Sequence, residues 1–121
     1  MFAPKDLISG NTHANTYYAS TAPARADYPS LIGDVVCDVC VVGGGFSGVS
    51  TALHLAEKGY KVVLLEAVKL AYGASGRNGG QIINGYSRDY DTIRGRYGQD
   101  SADALLAMSM EGGDIIRARV E

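Results

Sequence analysis

The chain has 121 residues, 46% of them hydrophobic, and a formal net charge of −2. That is enough for one small globular domain rather than a disordered chain. The near-neutral charge and lack of a long basic run give no support for nucleic-acid binding. No window approaches twenty uninterrupted apolar residues, so no membrane span is expected.

Residues 1–34 read as an N-terminal extension. The opening MFAPKDLISG lacks the apolar stretch of a secretory signal, which makes a soluble, cytoplasmic protein the default. All three prolines (Pro4, Pro23, Pro29) fall in this extension. His13 sits in it without any periodic pattern around it. The ordered domain is expected to begin near Val35 and to occupy 35–121.

Cys37 and Cys40 form C-x-x-C at the start of an apolar run. Residues three apart on a strand face opposite sides, so the pair is not suited to bridging or to sharing a metal. Both are expected to be small buried hydrophobes, and no metal site is expected. Val39 to Val42 predict a buried parallel strand. Gly43, Gly45 and Gly48 then supply G-x-G-x-x-G. Gly43 permits a tight turn, Gly45 leaves room for a pyrophosphate, and Gly48 lets the next helix pack closely.

That helix is expected from about Phe46 to Lys58, with Val49, Ala52, Leu53 and Ala56 on one apolar stripe. Its free N–H groups, beginning at Phe46 and Ser47, and the positive end of its dipole attract phosphate. His54 reads as a solvated helix histidine, and Gly59 as the stop. Tyr60 to Leu65 predict the second strand, ended by Glu66, 23 residues after Gly43. A carboxylate there accepts hydrogen bonds from ribose hydroxyls and repels a 2′-phosphate, which disfavours NADP. NAD and FAD both remain open from this unit. A bare structural βαβ is the plain alternative, but strand, turn, helix, strand and acid occur in the order a dinucleotide site needs.

A second glycine cluster runs from Gly73 to Gln81, GASGRNGGQ. Four glycines in nine residues cannot be a strand or helix interior. Such a segment lets backbone N–H groups converge on an anionic ligand. Ser75, Asn78 and Gln81 add hydrogen-bonding side chains, and Arg77 a charge that offsets phosphate or a reduced flavin. A flexible surface loop is the competing reading.

Further on, Ile82-Ile83-Asn84 suggest a short extended piece, and Tyr90 to Tyr97 one or two helical turns closed by Gly98. Ser101 is a candidate N-cap for a longer helix, with Leu105, Met108, Gly112, Ile115 and Arg119 at helical spacing. Its apolar members would form a core face. Gly112 and Gly113 weaken such a helix by about 1 kcal/mol each relative to alanine, which points to a close packing contact. Tyr86, Tyr90 and Tyr97 read equally as packing residues or as the rim of a ligand entrance.

Taken together, CDVCVVGGGFSG, ALHLAEKGYKVVLLEA and GASGRNGGQIINGYSRDYD resemble the N-terminal part of FAD-dependent oxidoreductases of the D-amino-acid oxidase/glycine oxidase superfamily. Tyr17-Tyr18-Ala19-Ser20 and MEGGDIIRARV extend the likeness over most of the chain. The resemblance tips the cofactor from NAD to FAD. It implies an α/β fold with a Rossmann-like FAD-binding domain. It also implies that Gly43, Gly45 and Gly48, with the helix start at Phe46 and Ser47, approach the pyrophosphate. Glu66 would hold the ribose, and Ser75, Arg77, Asn78, Gly79, Gly80 and Gln81 would line the flavin side.

The implied reaction is oxidation of a C–N bond in a small-molecule amine, with γ-glutamylputrescine the substrate suggested by the nearest members. Aldehyde, ammonia and, with oxygen as acceptor, hydrogen peroxide would be the products. No Ser/His/Asp or paired-carboxylate constellation is visible, so no catalytic residue is assigned. With two strong strands, one intervening helix and no stop signal at Glu121, the chain is expected to be the N-terminal fragment of a two-domain flavoprotein. An NAD-dependent dehydrogenase fragment and a non-catalytic nucleotide-binding module are the alternatives.

Overall fold

The computed structural model describes residues 13, 16–23 and 28–121. Much of the expected N-terminal extension, Pro4 included, lies outside the described residues. The chain divides into two compact units, 1–78 and 79–121.

In the first unit a five-residue helix, α1 (Tyr17–Thr21), stands where no periodicity announced one. Thr16 starts it: its side chain accepts the Ala19 N–H at 3.2 Å, as an N-cap does. The strand β1 (Val39–Val42), the helix α2 (Phe46–Glu57) and the strand β2 (Val62–Leu65) then form a βαβ unit. The strands pair in parallel, Val39 opposite Val62 through Val42 opposite Leu65.

β2 starts two residues later than the apolar run suggests. The Tyr60 N–H is spent on the Leu55 carbonyl at 3.1 Å, closing α2 instead of joining the sheet. Lys61 then meets the chain before β1: its N–H donates to Asp38 Oδ2 at 2.7 Å, and its carbonyl accepts the Asp38 N–H at 2.9 Å.

Two burial expectations change. The inner face of α2 comprises half-buried Gly48, Val49, Ala52 and Leu55, whereas Leu53 and Ala56 are exposed. The contact of Gly48 with the glycine turn sets the helix rotation, and the apolar stripe turns with it. On the sheet, α2 covers the face of Val39 and Val41, leaving Cys40 and Val42 exposed on the other. Cys40 is therefore not buried, because no described element lies over its face. Cys37 is half-buried, and both thiols are free.

The second unit is a helical pair. Ile82–Asn84 join no strand. Asp89 caps α3 (Tyr90–Tyr97), its Oδ1 accepting the Thr92 N–H at 2.9 Å. Gly98 then adopts φ +87 and turns the chain directly into α4 (Gln99–Val120). That left-handed backbone suits glycine, and it makes Gly98 the N-cap, with Ser101 inside the first turn. The inner face of α4 is Ala102, Leu105, Ser109 and Gly113, while Met108 is 61% exposed. The expected Leu105/Met108/Gly112 face is thus rotated, because Gly113 is the glycine that packs closely. A Cβ there would stand 2.7 Å from Asn84 Oδ1, whereas one on Gly112 would meet nothing.

Ala102 is the only fully buried apolar side chain among the described residues. Both units are therefore held by half-buried faces rather than by a deep core.

Candidate functional site

The glycine turn joins β1 to α2 and is fixed from three directions. Gly43 has φ +100, and its N–H donates to the Leu65 carbonyl at 2.7 Å, continuing the ladder past β2. Gly44 is buried. A Cβ there would lie 2.4 Å from Leu70 Cδ2 and 3.3 Å from Glu66 Oε2. A Cβ on Gly48 would fall 1.8 Å from the Gly43 carbonyl oxygen, so only glycine lets α2 approach its own turn this closely.

Of the four consecutive or near-consecutive glycines, the fingerprint reading singled out three. Gly44 was passed over, yet it is the buried one. The signal for it is the middle position of the run Gly43-Gly44-Gly45.

Glu66 closes the turn from below. Its Oε2 accepts the Gly44 N–H at 2.7 Å, and its Oε1 accepts the Val68 N–H at 3.1 Å. The Gly44 hydrogen bond is the main reason that the carboxyl lies below its ordinary value of 4.5; desolvation opposes it, and the Val68 and Ala67 N–H groups reinforce it. A carboxylate offers about four acceptor positions, so Glu66 keeps acceptor capacity beyond these bonds.

The second glycine cluster reaches the same place. Ala71 N–H donates to the Gly44 carbonyl at 2.8 Å, and a 3₁₀ turn follows at Ala74–Gly76. Ser75, in the middle of that turn, accepts the Phe46 N–H on its Oγ at 3.0 Å. The Cβ missing from Gly45 would lie 2.9 Å from the same oxygen. Asn78 ties the turn down, its Nδ2 donating to the Ser75 carbonyl at 2.9 Å and to the Ala74 carbonyl at 3.3 Å. Gly76 is required here too, because its Cβ would meet the Ala71 carbonyl oxygen at 2.2 Å.

α2 therefore begins beneath a serine 29 residues downstream of Phe46. Its own N-cap, Gly45, supplies no side-chain bond. The first intrahelical bond runs from the Val49 N–H to the Gly45 carbonyl at 2.9 Å, so the N–H groups of Ser47 and Gly48 precede the ladder. Together with the helix dipole they suit an anion.

Ser75, Arg77 and Asn78 thus share the first unit with Gly43, Gly45, Phe46, Ser47, Gly48 and Glu66, whereas Gly79, Gly80 and Gln81 belong to the second. Gly79 packs against its neighbour there: a Cβ would stand 2.4 Å from Gln81 Oε1. Elsewhere in the second unit the tyrosines serve packing and hydrogen bonding. Tyr86 donates to the Leu105 carbonyl at 2.9 Å. Tyr90 donates to Asp103, which also receives Gln99 Nε2 at 2.9 Å. Tyr97 lies under the Arg96 guanidinium, 5.4 Å from its ring centroid. His54, half-buried, turns back on its own helix, with Nδ1 2.8 Å from the Ser50 carbonyl. Among the described residues no group of three His, Cys, Asp or Glu is placed to hold a metal. No helix there is long and apolar enough to cross a membrane.

A glycine turn after a parallel strand, an acid following β2 and a second glycine cluster on the helix start are the arrangement expected of a dinucleotide site in a flavoprotein or a dehydrogenase. Comparison with known proteins decides between them. The family described as FAD dependent oxidoreductase (DAO) matches residues 38–121. The chain belongs to this family, and FAD is the family's cofactor.

Over 109 residues, 90% of this chain, it is 54% identical to gamma-glutamylputrescine oxidoreductase of Escherichia coli (strain K12), covering 26% of that protein. It is 45% identical to probable oxidoreductase OrdL of Haemophilus influenzae, over 90% of this chain and 25% of that protein. A probable oxidoreductase OrdL of Rhizobium meliloti (strain 1021) is 36% identical over 78% of this chain and 22% of its own length. The chain thus spans about a quarter of the length of these relatives. No solved structure gives a significant match.

Proposed function

We propose that this chain supplies the ADP- and flavin-holding part of an FAD-dependent amine oxidoreductase, with γ-glutamylputrescine as substrate. On this reading residues 35–121 are the N-terminal part of a Rossmann-like FAD-binding domain whose remainder lies in a longer protein. The observation that carries it is the Ser75–Phe46 hydrogen bond. That bond brings the second glycine cluster onto the start of α2, so two separate sequence signals make one cradle. Similarity to the E. coli enzyme supports the substrate.

Each residue then has a physical task. The N–H groups of Ser47 and Gly48 hold pyrophosphate charge at the helix N-terminus. Ser75 accepts the Phe46 N–H on oxygen, which leaves its hydroxyl proton to donate to a phosphate oxygen. On this reading Ser75 begins the run that continues through Arg77 and Asn78 along the flavin side. Glu66 accepts the ribose hydroxyls with its remaining lone pairs and repels a 2′-phosphate. Arg77 offsets the added negative charge. Gly79, Gly80 and Gln81 continue towards the flavin ring. When bound, FAD supplies the hydride acceptor for the carbon next to the amine nitrogen, and oxygen is the proposed terminal acceptor.

The test is an absorbance spectrum of the longest natural form of the protein, recorded without oxygen before and after γ-glutamylputrescine. A flavin band that bleaches on addition is the expected result. A band that persists with this amine rejects the substrate, and a colourless protein that fails to take up FAD rejects the cofactor site. Retention of adenine nucleotide without flavin would favour the non-catalytic module.

A further inference from the structure

Arg77 is the one cation in the second glycine cluster. No carboxylate pairs with it among the described residues. Its guanidinium lies over the Tyr72 ring instead, 5.2 Å from the centroid. An aromatic face attracts a cation through its quadrupole and carries no net charge. A carboxylate partner would fix the arginine and cancel it. The Tyr72 ring fixes it and leaves the full positive charge available.

The backbone that presents Tyr72 is pinned to the glycine turn. Ala71 adopts φ +59, the left-handed region that alanine seldom enters. It is held there by its N–H bond to the Gly44 carbonyl at 2.8 Å. The Tyr72 N–H donates to the Lys69 carbonyl at 3.0 Å, and Tyr72 is half-buried, with the His13 ring 6.2 Å from its own. Arg77 itself leaves the 3₁₀ turn whose Ser75 caps α2, its N–H bonded to the Ala74 carbonyl at 3.1 Å. One end of the arrangement is anchored to the phosphate turn through Ala71, the other through Ser75.

We infer that Tyr72 is a positioning residue for the dianionic cofactor: its ring holds the guanidinium of Arg77, two residues beyond the serine that caps α2, without neutralising it. This rests on the FAD reading above. Tyr72 touches the cofactor only through Arg77, so its effect vanishes when Arg77 carries no charge.

The experiment replaces Tyr72 in the longest natural form of the protein by phenylalanine and then by phenylalanines of increasing fluorination. Fluorine drains the π face while shape and packing are largely kept. FAD dissociation constants are read by flavin fluorescence at fixed ionic strength, in the wild-type background and in Arg77→Gln. Phenylalanine itself should bind FAD within about twofold of tyrosine. Progressive fluorination should then weaken binding stepwise by roughly two- to fivefold in total, the range of an exposed cation–π contact. In the Arg77→Gln background the series should be flat. A flat series with Arg77 present, or an equal slope in both backgrounds, overturns the inference. Wild-type protein that binds no FAD would instead overturn the cofactor reading, so the two failures are distinct.

Discussion

The loop between β1 and α2 concentrates its requirements on single atoms, and these make sharp predictions. Gly48→Ala drives a Cβ to 1.8 Å from a backbone oxygen that cannot swing aside. Overpacking of this kind costs about 1–3 kcal/mol, so the variant should melt lower and lose FAD together. Normal cofactor content in a Gly48→Ala protein would refute the placement of α2. Ser75→Ala leaves the Phe46 N–H without its acceptor, a lost helix cap worth about 1 kcal/mol. FAD should bind about five- to tenfold more weakly, with little change in the spectrum of what is bound. Glu66 adds a pH dependence whose sign is fixed. Its folded-state pKa lies below the ordinary value of 4.5, chiefly through the Gly44 N–H. The brace it provides is therefore complete above that value and lost as pH falls through the lowered pKa. In Glu66→Gln this part of the acid destabilisation should disappear, which a comparison of melting profiles at acid pH measures. An unchanged acid limb would show that the carboxylate does not brace the turn.

At the scale of elements, the order strand–turn–helix–strand–acid was legible because each step is local. Val39–Val42 are apolar and β-branched, the glycines break the run, and the helical period resumes at Phe46. Helix rotation was not legible, since it depends on which small residue meets which backbone. The inner face of α2 follows Gly48 rather than Leu53, and that of α4 follows Gly113 rather than Met108. The start of α4 shifted for a similar reason: Ser101 has cap chemistry, but the φ of Gly98 had already turned the chain. The reach of Ser75 to Phe46 crosses 29 residues, and no local pattern announces such a contact. The two adjacent glycines of α4 test the packing claim directly. Gly112→Ala meets nothing and should recover the helix propensity of alanine, a gain of about 1 kcal/mol. Gly113→Ala gains the same propensity but must displace Asn84, whose Nδ2 contacts Met110 Sδ at 3.1 Å. Its net effect should be smaller than that of Gly112→Ala in thermal melts. The reverse order would mean that the Asn84 contact does not restrain the helix.

For the molecule as a whole, the scarcity of deep burial matters more than any one contact. Ala102 is the only fully buried apolar side chain among the described residues, while Val42 is 83% and Ile32 92% exposed. Hydrophobic burial is the main force that offsets chain entropy, so little of it leaves the stability of the first unit dependent on what binds there. The glycine turn, the acid at the end of β2 and the Ser75 turn are joined by hydrogen bonds rather than by a core. A ligand that engages all three would tie them in its own place. Binding to the folded state alone stabilises by RT ln(1 + [L]/Kd), about 2.7 kcal/mol at a hundredfold excess over Kd. FAD should therefore raise the melting temperature of this protein in a concentration-dependent way. ADP, which carries the pyrophosphate and ribose that these residues are proposed to hold, should reproduce a substantial part of that rise. NADP should do so poorly, because on the proposed placement its 2′-phosphate meets the Glu66 carboxylate. Melting curves against the three nucleotides separate the contributions. Equal stabilisation by NADP and ADP would remove Glu66 from the ribose site, and stabilisation by FAD without any from ADP would move the binding energy from the glycine turn to the flavin end.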